Sequence, residues 1–500
     1  MSTLITPLKR AVACFADNEA VICGDARYTY RETWDRCRRL VSVLAGFGLQ
    51  RGDRVAVAMA NSLQYLELYQ TVPGAGYVIV PLNSRHTEVE LRYALEDSNT
   101  RVLFTDLPLP DDIVEHVVRM PAGYEDALAT ATPGAFPTDV DANDLAGLFY
   151  TGGTTGAAKG VMLTHRNLVA NAFHLMSMWP ITPETRWLVA SPLFHAAGTI
   201  AVLATVWNGG CQAVLPAFSP GGFLDLAAAT GATHTLVVPT MLAAVVDEQA
   251  KNPRDLSAMH YVSHGASPIA TEVLRRTMRA LPHIELLHLY GATETAPIAT
   301  TLAHEERELD GPLARSCGRP SIGVEVEVRD ENGVACPTGE VGEVCIRGEN
   351  VMRGYWNKPE QTAAALRDGW YFSGDLGYLN VDGCLFLVDR LKDMIVSGGE
   401  NVYSTEVEEA LYRHPGVLEA AVFGVPDERW GEAVHAVVVP RAAGLSADEL
   451  VAHCRELIAS YKVPKAIEVT DVPLPKSGAG KVLKRELREP FWAGRDGRIS

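Results

Sequence analysis

Between Asp53 and Pro81 the hydrophobic period of the chain changes twice. DRVAVAM (53 to 59) reads as a strand, Ser62 to Val72 as a helix, and Tyr77 to Pro81 as a strand again. Short strands alternating with helices, punctuated by Gly and Pro, continue along the chain without an internal repeat or a low-complexity tract. That alternation favours an α/β fold. At 500 residues the chain exceeds the size at which one hydrophobic core keeps growing, so more than one domain is expected. Asp389-Arg390-Leu391-Lys392-Asp393 forms a charged break, after which the pattern restarts at MIVSGGEN as a compact α+β unit. In that unit Thr405 to Tyr412 reads as a helix, and VLEAAVFGV (417 to 425) and AVHAVVVP (433 to 440) as strands. The expected boundary is Lys392, with a large multi-subdomain α/β region at 1–391 and a small C-terminal domain at 392–500.

A formal charge of −17 makes a long polyanion such as nucleic acid an unfavourable partner. It does not exclude a small one, which a few local donors and a metal ion can hold. The nine cysteines are scattered and contain no C-x-x-C pair, as expected of reduced thiols. After Lys9 and Arg10 the apolar run Ala11 to Ala16 is too short for a signal-peptide core. The run Leu236 to Val246 is broken by Pro239 and falls short of the ~20 residues of a membrane span. A cytoplasmic location without a transmembrane segment is expected.

YTGGTTGAAKG, from Tyr150 to Gly160, carries Gly or Thr at seven of its eleven positions, plus Lys159. Such a run can offer backbone N–H groups, hydroxyls and an ammonium to phosphate oxygens. It is not a G-x-x-x-x-G-K-[ST] loop, because Ala158 precedes Lys159 and Gly160 follows it. GAGKV (478 to 482) fails that pattern as well, with Val482 in the Ser/Thr place. The chain has no G-x-G-x-x-G, G-x-S-x-G or H-E-x-x-H. Alone, the Tyr150–Gly160 run fits a surface turn as well as a phosphate loop.

Its context decides. YTGGTTGAAKG resembles the YTSGTTGxPKG signature of the adenylate-forming superfamily, which includes acyl- and aryl-CoA synthetases, nonribosomal adenylation domains and luciferases. The resemblance continues through SPLFH (191 to 195), YGATE (290 to 294), GEVCIRGENVMRGYW (342 to 356) and GWYFSGD (369 to 375). It ends with DRLKDMIVSGGENVY (389 to 403) and PKSGAGK (475 to 481), and GAGYVIVPLN (74 to 83) fits an earlier family segment. Two positions depart from the signature. Gly152 stands where Ser is usual, and Ala158 where Pro is usual, removing a hydroxyl and a φ constraint.

What the resemblance implies is an enzyme that activates a carboxylic acid with ATP and Mg²⁺. In this reading Thr151, Gly152, Gly153, Thr154, Thr155, Gly156 and Lys159 form the phosphate-binding set, with Thr155 at the β and γ phosphates and a second candidate Mg²⁺ contact. Tyr290, followed by Gly291, stacks on adenine, Thr293 meets the α-phosphate, and Glu294 helps hold Mg²⁺, a hard ion that favours oxygen ligands. Gly265 and Ala266 belong to the same nucleotide surface. Asp375 accepts from the ribose diol with its two oxygens, and Arg390 assists. Lys481 is the implied electrostatic catalyst, whereas Lys476, Lys484 and Arg485 nearby read as surface solubilisers. The small domain is implied to be mobile, rotating about Lys392 and presenting the SGGEN loop with Gly398, Gly399 and Glu400 to a pantetheine arm. Trp430 is placed either against CoA or in a core.

No carrier domain is expected after Lys481, and Phe194-His195 lacks the Asp usual after Phe in amino-acid-activating members. CoA is therefore the leading acceptor, ahead of a carrier-protein thiol and of molecular oxygen. His195, Val238 to Met241, Gly265-Ala266-Ser267 and Gly291 to Ala296 are implied to line the acyl pocket. The resemblance also implies a catalytic place for His195, beside the carboxylate and able to swing with the domain change; on sequence alone it is equally a structural group. Small and apolar residues dominate these stretches, which favours a fatty or aromatic monocarboxylic acid. A noncatalytic nucleotide-binding homologue would be expected to lose Lys481, Glu294 or the SGGEN loop, and all are present. A homodimer is compatible with the sequence.

Overall fold

The computed structural model describes residues 2–151, 158–267, 269, 271–303, 309–398, 400–427, 429–476 and 482–493. It is mixed α/β throughout, as the alternating pattern requires. The chain divides into two compact units, one of 1–326 with 346–372 and the other of 327–345 with 373–500. Lys392 lies within the second.

Among the described residues two sheets lie wholly within the first unit. A seven-stranded sheet is parallel through Val78–Pro81, Arg54–Ala58, Thr100–Thr105 and His116–Arg119, and Leu145–Thr151 pairs parallel with Val78–Pro81. Its other end is antiparallel: Lys159–Thr164 turns back on Leu145–Thr151, and Gly354–Tyr355 covers the outer side of Lys159–Thr164. The helix read over 62–72 is Leu63–Gly74, capped by Ser62, whose Oγ accepts from Tyr65 N at 3.1 Å. Every residue of that helix is buried, which explains its weak amphipathic pattern.

The nine-stranded sheet is parallel through its centre, where Glu285–Tyr290, Tyr261–Gly265, His234–Val237 and Arg186–Val189 lie side by side. Its edges are antiparallel. Parallel strands need covering on both faces. On one face Val237, Val262 and Leu286 pack into a core with Leu224, Leu242, Val245 and Leu274 from the flanking helices.

In the second unit, Val417–Asp427 and Gly431–Pro440 form a long antiparallel hairpin, with Ile395–Ser397 and Ala466–Val469 also pairing with Gly431–Pro440. The helix Ser404–Tyr412 packs on this sheet through Val407, Ala410 and Leu411. Lys484 corrects the sequence reading: it is not a surface solubiliser. Its Nζ lies 2.7 Å from Glu408 Oε1 and donates to Ser404 Oγ at 2.7 Å, and Ser404 Oγ donates to Asp389 Oδ1 at 3.0 Å. Only its spacing before a helical run separated this lysine from its neighbours, and the carboxylates that bury it come from segments distant in sequence. Lys476 pairs with Glu419 and Arg485 with Glu489.

Three buried histidines of the first unit, His165, His174 and His234, are each held down to about 4 by burial. His165 Nδ1 accepts from Leu4 N at 3.1 Å, which requires the neutral ring. The unfolded chain binds these protons near pH 6.5 and the folded chain does not. Stability is therefore fully present above about pH 6.5 and falls as the pH drops towards 4, by up to about 3 kcal/mol per histidine. Urea midpoints at pH 7.5 and pH 5 should differ accordingly, and replacing His174 with Gln should flatten the difference.

Candidate active site

Four segments implied to surround the acyl and nucleotide groups follow the carboxyl ends of adjacent parallel strands in one sheet. Ser191 to His195 comes after Arg186–Val189, Val238 to Met241 after His234–Val237, Ala266 and Ser267 after Tyr261–Gly265, and Gly291 to Ala296 after Glu285–Tyr290. This edge is where open α/β sheets bind ligands, because the chain leaves each strand there into a loop. Gly265 ends its strand so close to the next that a Cβ would lie 2.3 Å from Leu289 O. Ala266 follows in the left-handed region, at φ 67°. His195 is half-buried, caps the helix Ala196–Trp207 in an extended conformation and lies 4.5 Å, centroid to centroid, from the Phe194 ring.

The YGATE turn is built for rigidity. Tyr290 is buried at the strand end. A Cβ on Gly291 would lie 1.9 Å from Pro297 O, so no other residue fits there. Thr293 and Glu294 sit in a single 3₁₀ turn, Thr293–Thr295, closed by Ala292 N donating to Thr295 Oγ1 at 3.0 Å. Fully buried Asn350 donates to Thr295 O at 2.9 Å and to Ile298 O at 2.7 Å. Met352 N donates to Glu294 O at 2.8 Å.

Thr151 and Lys159 face each other as register partners at the two feet of the glycine/threonine run. Gly354–Tyr355 continues the sheet beside Lys159–Thr164, which places the Tyr355 ring 4.4 Å beneath Lys159 Nζ. Tyr355 Oη donates to Glu294 Oε1 at 2.9 Å. Burial, then the Glu294 carboxylate, push the Tyr355 hydroxyl up, so it keeps its proton and remains the donor. Lys159, Tyr355 and Glu294 are thus one connected group. Tyr355 and Asn350 had no assigned role in the sequence; the signal was their position in the GENVMRGYW segment.

In the second unit Asp375 and Arg390 are cross-strand partners, and Arg390 Nε lies 2.7 Å from Asp375 Oδ1. Asp375 is buried and its amide donates to Ser373 Oγ at 3.1 Å. Gly398, at φ 62°, donates its N–H to Trp430 O at 2.8 Å, and a Cβ there would lie 2.7 Å from Trp430 Cε3. Trp430 is 38% exposed, a rim and not a core position. Arg429 Cζ and Lys465 Nζ lie 4.6 and 5.8 Å from the Trp430 ring centroid. Glu400 is exposed. Gly152, Gly153, Thr154, Thr155, Gly156, Gly399 and Lys481 lie outside the described residues.

A strand-end surface closed by a rigid acidic turn and joined to a lysine-footed hairpin is an α/β arrangement suited to a small anionic ligand. The AMP-binding enzyme family matches residues 8–356, and the AMP-binding enzyme C-terminal domain matches residues 406–481. The chain is 41% identical to a feruloyl-CoA synthase of Amycolatopsis sp over 481 residues, covering 94% of this chain and 96% of that protein. It is 36% identical to the fatty acid–[acyl-carrier-protein] ligase ScoC of Streptomyces coeruleorubidus, covering 95% and 93%. ATP-bound MatB from Rhodopseudomonas palustris superposes with a TM-score of 0.90 at 32% identity, over 98% of this chain and 99% of that one. The chain belongs to the adenylate-forming, AMP-binding acyl-CoA ligase family. Among the described residues no helix is long and apolar enough to cross a membrane.

Proposed function

We propose that the protein is an ATP-dependent acyl-CoA ligase acting on a fatty or aromatic monocarboxylic acid. The observation that carries this reading is the Lys159–Tyr355–Glu294 group, which joins a phosphate-type hairpin foot to a carboxylate suited to a hard cation. Glu294, whose Oε1 accepts from Tyr355 Oη, would with Thr155 hold Mg²⁺. When bound, that ion would supply charge neutralisation at the substrate phosphates.

In the first half-reaction a carboxylate oxygen of the acid attacks the α-phosphorus of ATP. The new O–P bond forms as the bond to pyrophosphate breaks. Tyr290, Gly291, Gly265 and Ala266 hold the adenine, Thr293 meets the α-phosphate, and Asp375 with Arg390 holds the ribose. Thr151, Gly152, Gly153, Thr154, Gly156 and Lys159 hold the outer phosphates. Lys481 neutralises charge at the reacting centre, and His195 stands beside the carboxylate. In the second half-reaction the CoA thiol sulfur attacks the acyl carbon, the acyl–oxygen bond to AMP breaks, and the thiol proton passes to solvent. A turn about Lys392 brings Gly398, Gly399 and Glu400 to the pantetheine arm, and Trp430 meets CoA. Apolar segments at the strand ends, and a relative named for feruloyl-CoA, support the choice of acid. Nine free cysteines suit a reducing cytoplasm. A homodimer is compatible with these roles.

The test is a panel of aliphatic and cinnamic-type acids with ATP, Mg²⁺ and free CoA, read by pyrophosphate and AMP release. Release of AMP that depends on both acid and CoA is expected. The likeness to ScoC motivates a second reading, loading of a carrier-protein thiol. AMP release with a phosphopantetheinylated carrier protein, and none with free CoA, would select it.

A further inference from the structure

The helix Glu88–Asp97 is fixed at its start by a reciprocal capping box between Thr87 and Glu90. It is fixed along its length by Leu91, Ala94 and Leu95, which share one core with Leu148 of the hairpin strand. Tyr93 and Asp97 lie one turn apart on the same side of this helix. From there they reach the two feet of the hairpin that carries the glycine/threonine run. Tyr150 Oη donates to Asp97 Oδ2 at 2.7 Å on the incoming strand. Tyr93 Oη donates to the Ala158 carbonyl at 3.0 Å on the outgoing side. Asp97 is itself immobilised, because Trp356 Nε1 donates to its backbone carbonyl at 3.0 Å and Lys358 Nζ lies 3.7 Å from Oδ1.

The outgoing foot is also where the sequence departs from the family signature, with Ala158 in place of the usual proline. An alanine there leaves φ free in the unfolded chain, whereas proline restricts it. A tyrosine hydroxyl on the Ala158 carbonyl places a restraint on the same residue, on its other side.

We propose that Tyr93 is a positioning residue for nucleotide binding: through the Ala158 carbonyl it holds the outgoing foot of the phosphate hairpin, while Asp97 holds the incoming foot through Tyr150. The proposal rests on the phosphate-binding role of this hairpin.

Tyr93→Phe keeps the ring and removes the hydrogen bond. The KM for ATP, and the Kd for ATP measured without acid, are expected to rise about five-fold, the scale of one lost hydrogen bond. The KM for the acid, kcat and the thermal midpoint should stay within about two-fold or a degree or two of the parent. In an Ala158→Pro background the same substitution should raise the ATP constants less than about two-fold, because the backbone restraint is then covalent. The proposal is overturned if Tyr93→Phe leaves the ATP constants unchanged. It is overturned equally if ATP and acid KM rise together with a lowered thermal midpoint, or if the rise is undiminished in the proline background. Lys159→Ala separates the two layers of the argument. If it leaves ATP binding unchanged, the phosphate reading of the hairpin fails; if it weakens ATP binding while Tyr93→Phe does not, only the role of Tyr93 falls.

Discussion

Lys481→Ala is expected to lower acid-dependent ATP–pyrophosphate exchange by about 10²–10³ while a supplied acyl adenylate is still converted to thioester. An ammonium ~4 Å from the transferring phosphoryl group contributes up to ~4 kcal/mol at an intermediate effective dielectric, and desolvation of the lysine returns part of that. In the proposed reaction the charge it would offset develops as pyrophosphate departs. Thioester formation instead develops negative charge on the acyl oxygen and the departing AMP, after the proposed turn about Lys392. Exchange kinetics and a single-turnover assay from synthetic adenylate measure the two steps separately. Equal loss in both assays would falsify the assignment. Lys476→Ala should show neither effect, because Lys476 is occupied by Glu419.

The second large effect is expected at Gly291. A methyl group there meets Pro297 O at 1.9 Å and Thr295 Oγ1 at 2.8 Å, so Gly291→Ala must displace backbone that Asn350 and Asn171 hold from two sides. Overpacking against immovable backbone costs about 3 kcal/mol. Chemical denaturation should register that loss, and ATP affinity should fall further than stability alone explains, because Thr293 and Glu294 ride on the displaced turn. Gly333→Ala is the control: its φ of 77° is left-handed, unlike that of Gly291, and nothing lies within 4 Å of the added Cβ. It should cost about 1 kcal/mol and leave nucleotide affinity unchanged.

Much of this architecture was legible because local pattern and tertiary environment agree. The strand read at 53–59 is Arg54–Ala58, the helix read at Thr405 begins at Ser404, and the strands read at 417–425 and 433–440 form the hairpin Val417–Asp427 with Gly431–Pro440. The ordered motifs also fixed the family, which the profile matches over 8–356 and 406–481 show. What stayed hidden is pairwise. Nothing in the composition of GENVMRGYW says that Tyr355 lies between Lys159 and Glu294, because that contact depends on an antiparallel register set by Gly354 against Met162. Lys484 misled for the same reason. A lysine among other lysines reads as solvated, and its burial depends on Glu408 and Asp389 arriving from the helix and strand behind it. Asn350 is one more polar residue in a loop until its amide is seen to satisfy two carbonyls of the YGATE turn.

The pairing of Gly354–Tyr355 along Lys159–Thr164 has a consequence for how the protein is made. On the ribosome the hairpin strand emerges long before the segment that covers it, so its outer row of amides and carbonyls stays open while the nine-stranded sheet is being synthesised. The lysine foot acquires its aromatic seat, and the acidic turn its hydroxyl donor, only when residues 350–355 arrive. Assembly of the Lys159–Tyr355–Glu294 group and pairing of that strand edge are therefore expected to be one late event in biogenesis. A nascent chain halted before Gly354 would present an open strand edge to chaperones together with a site that lacks its central tyrosine.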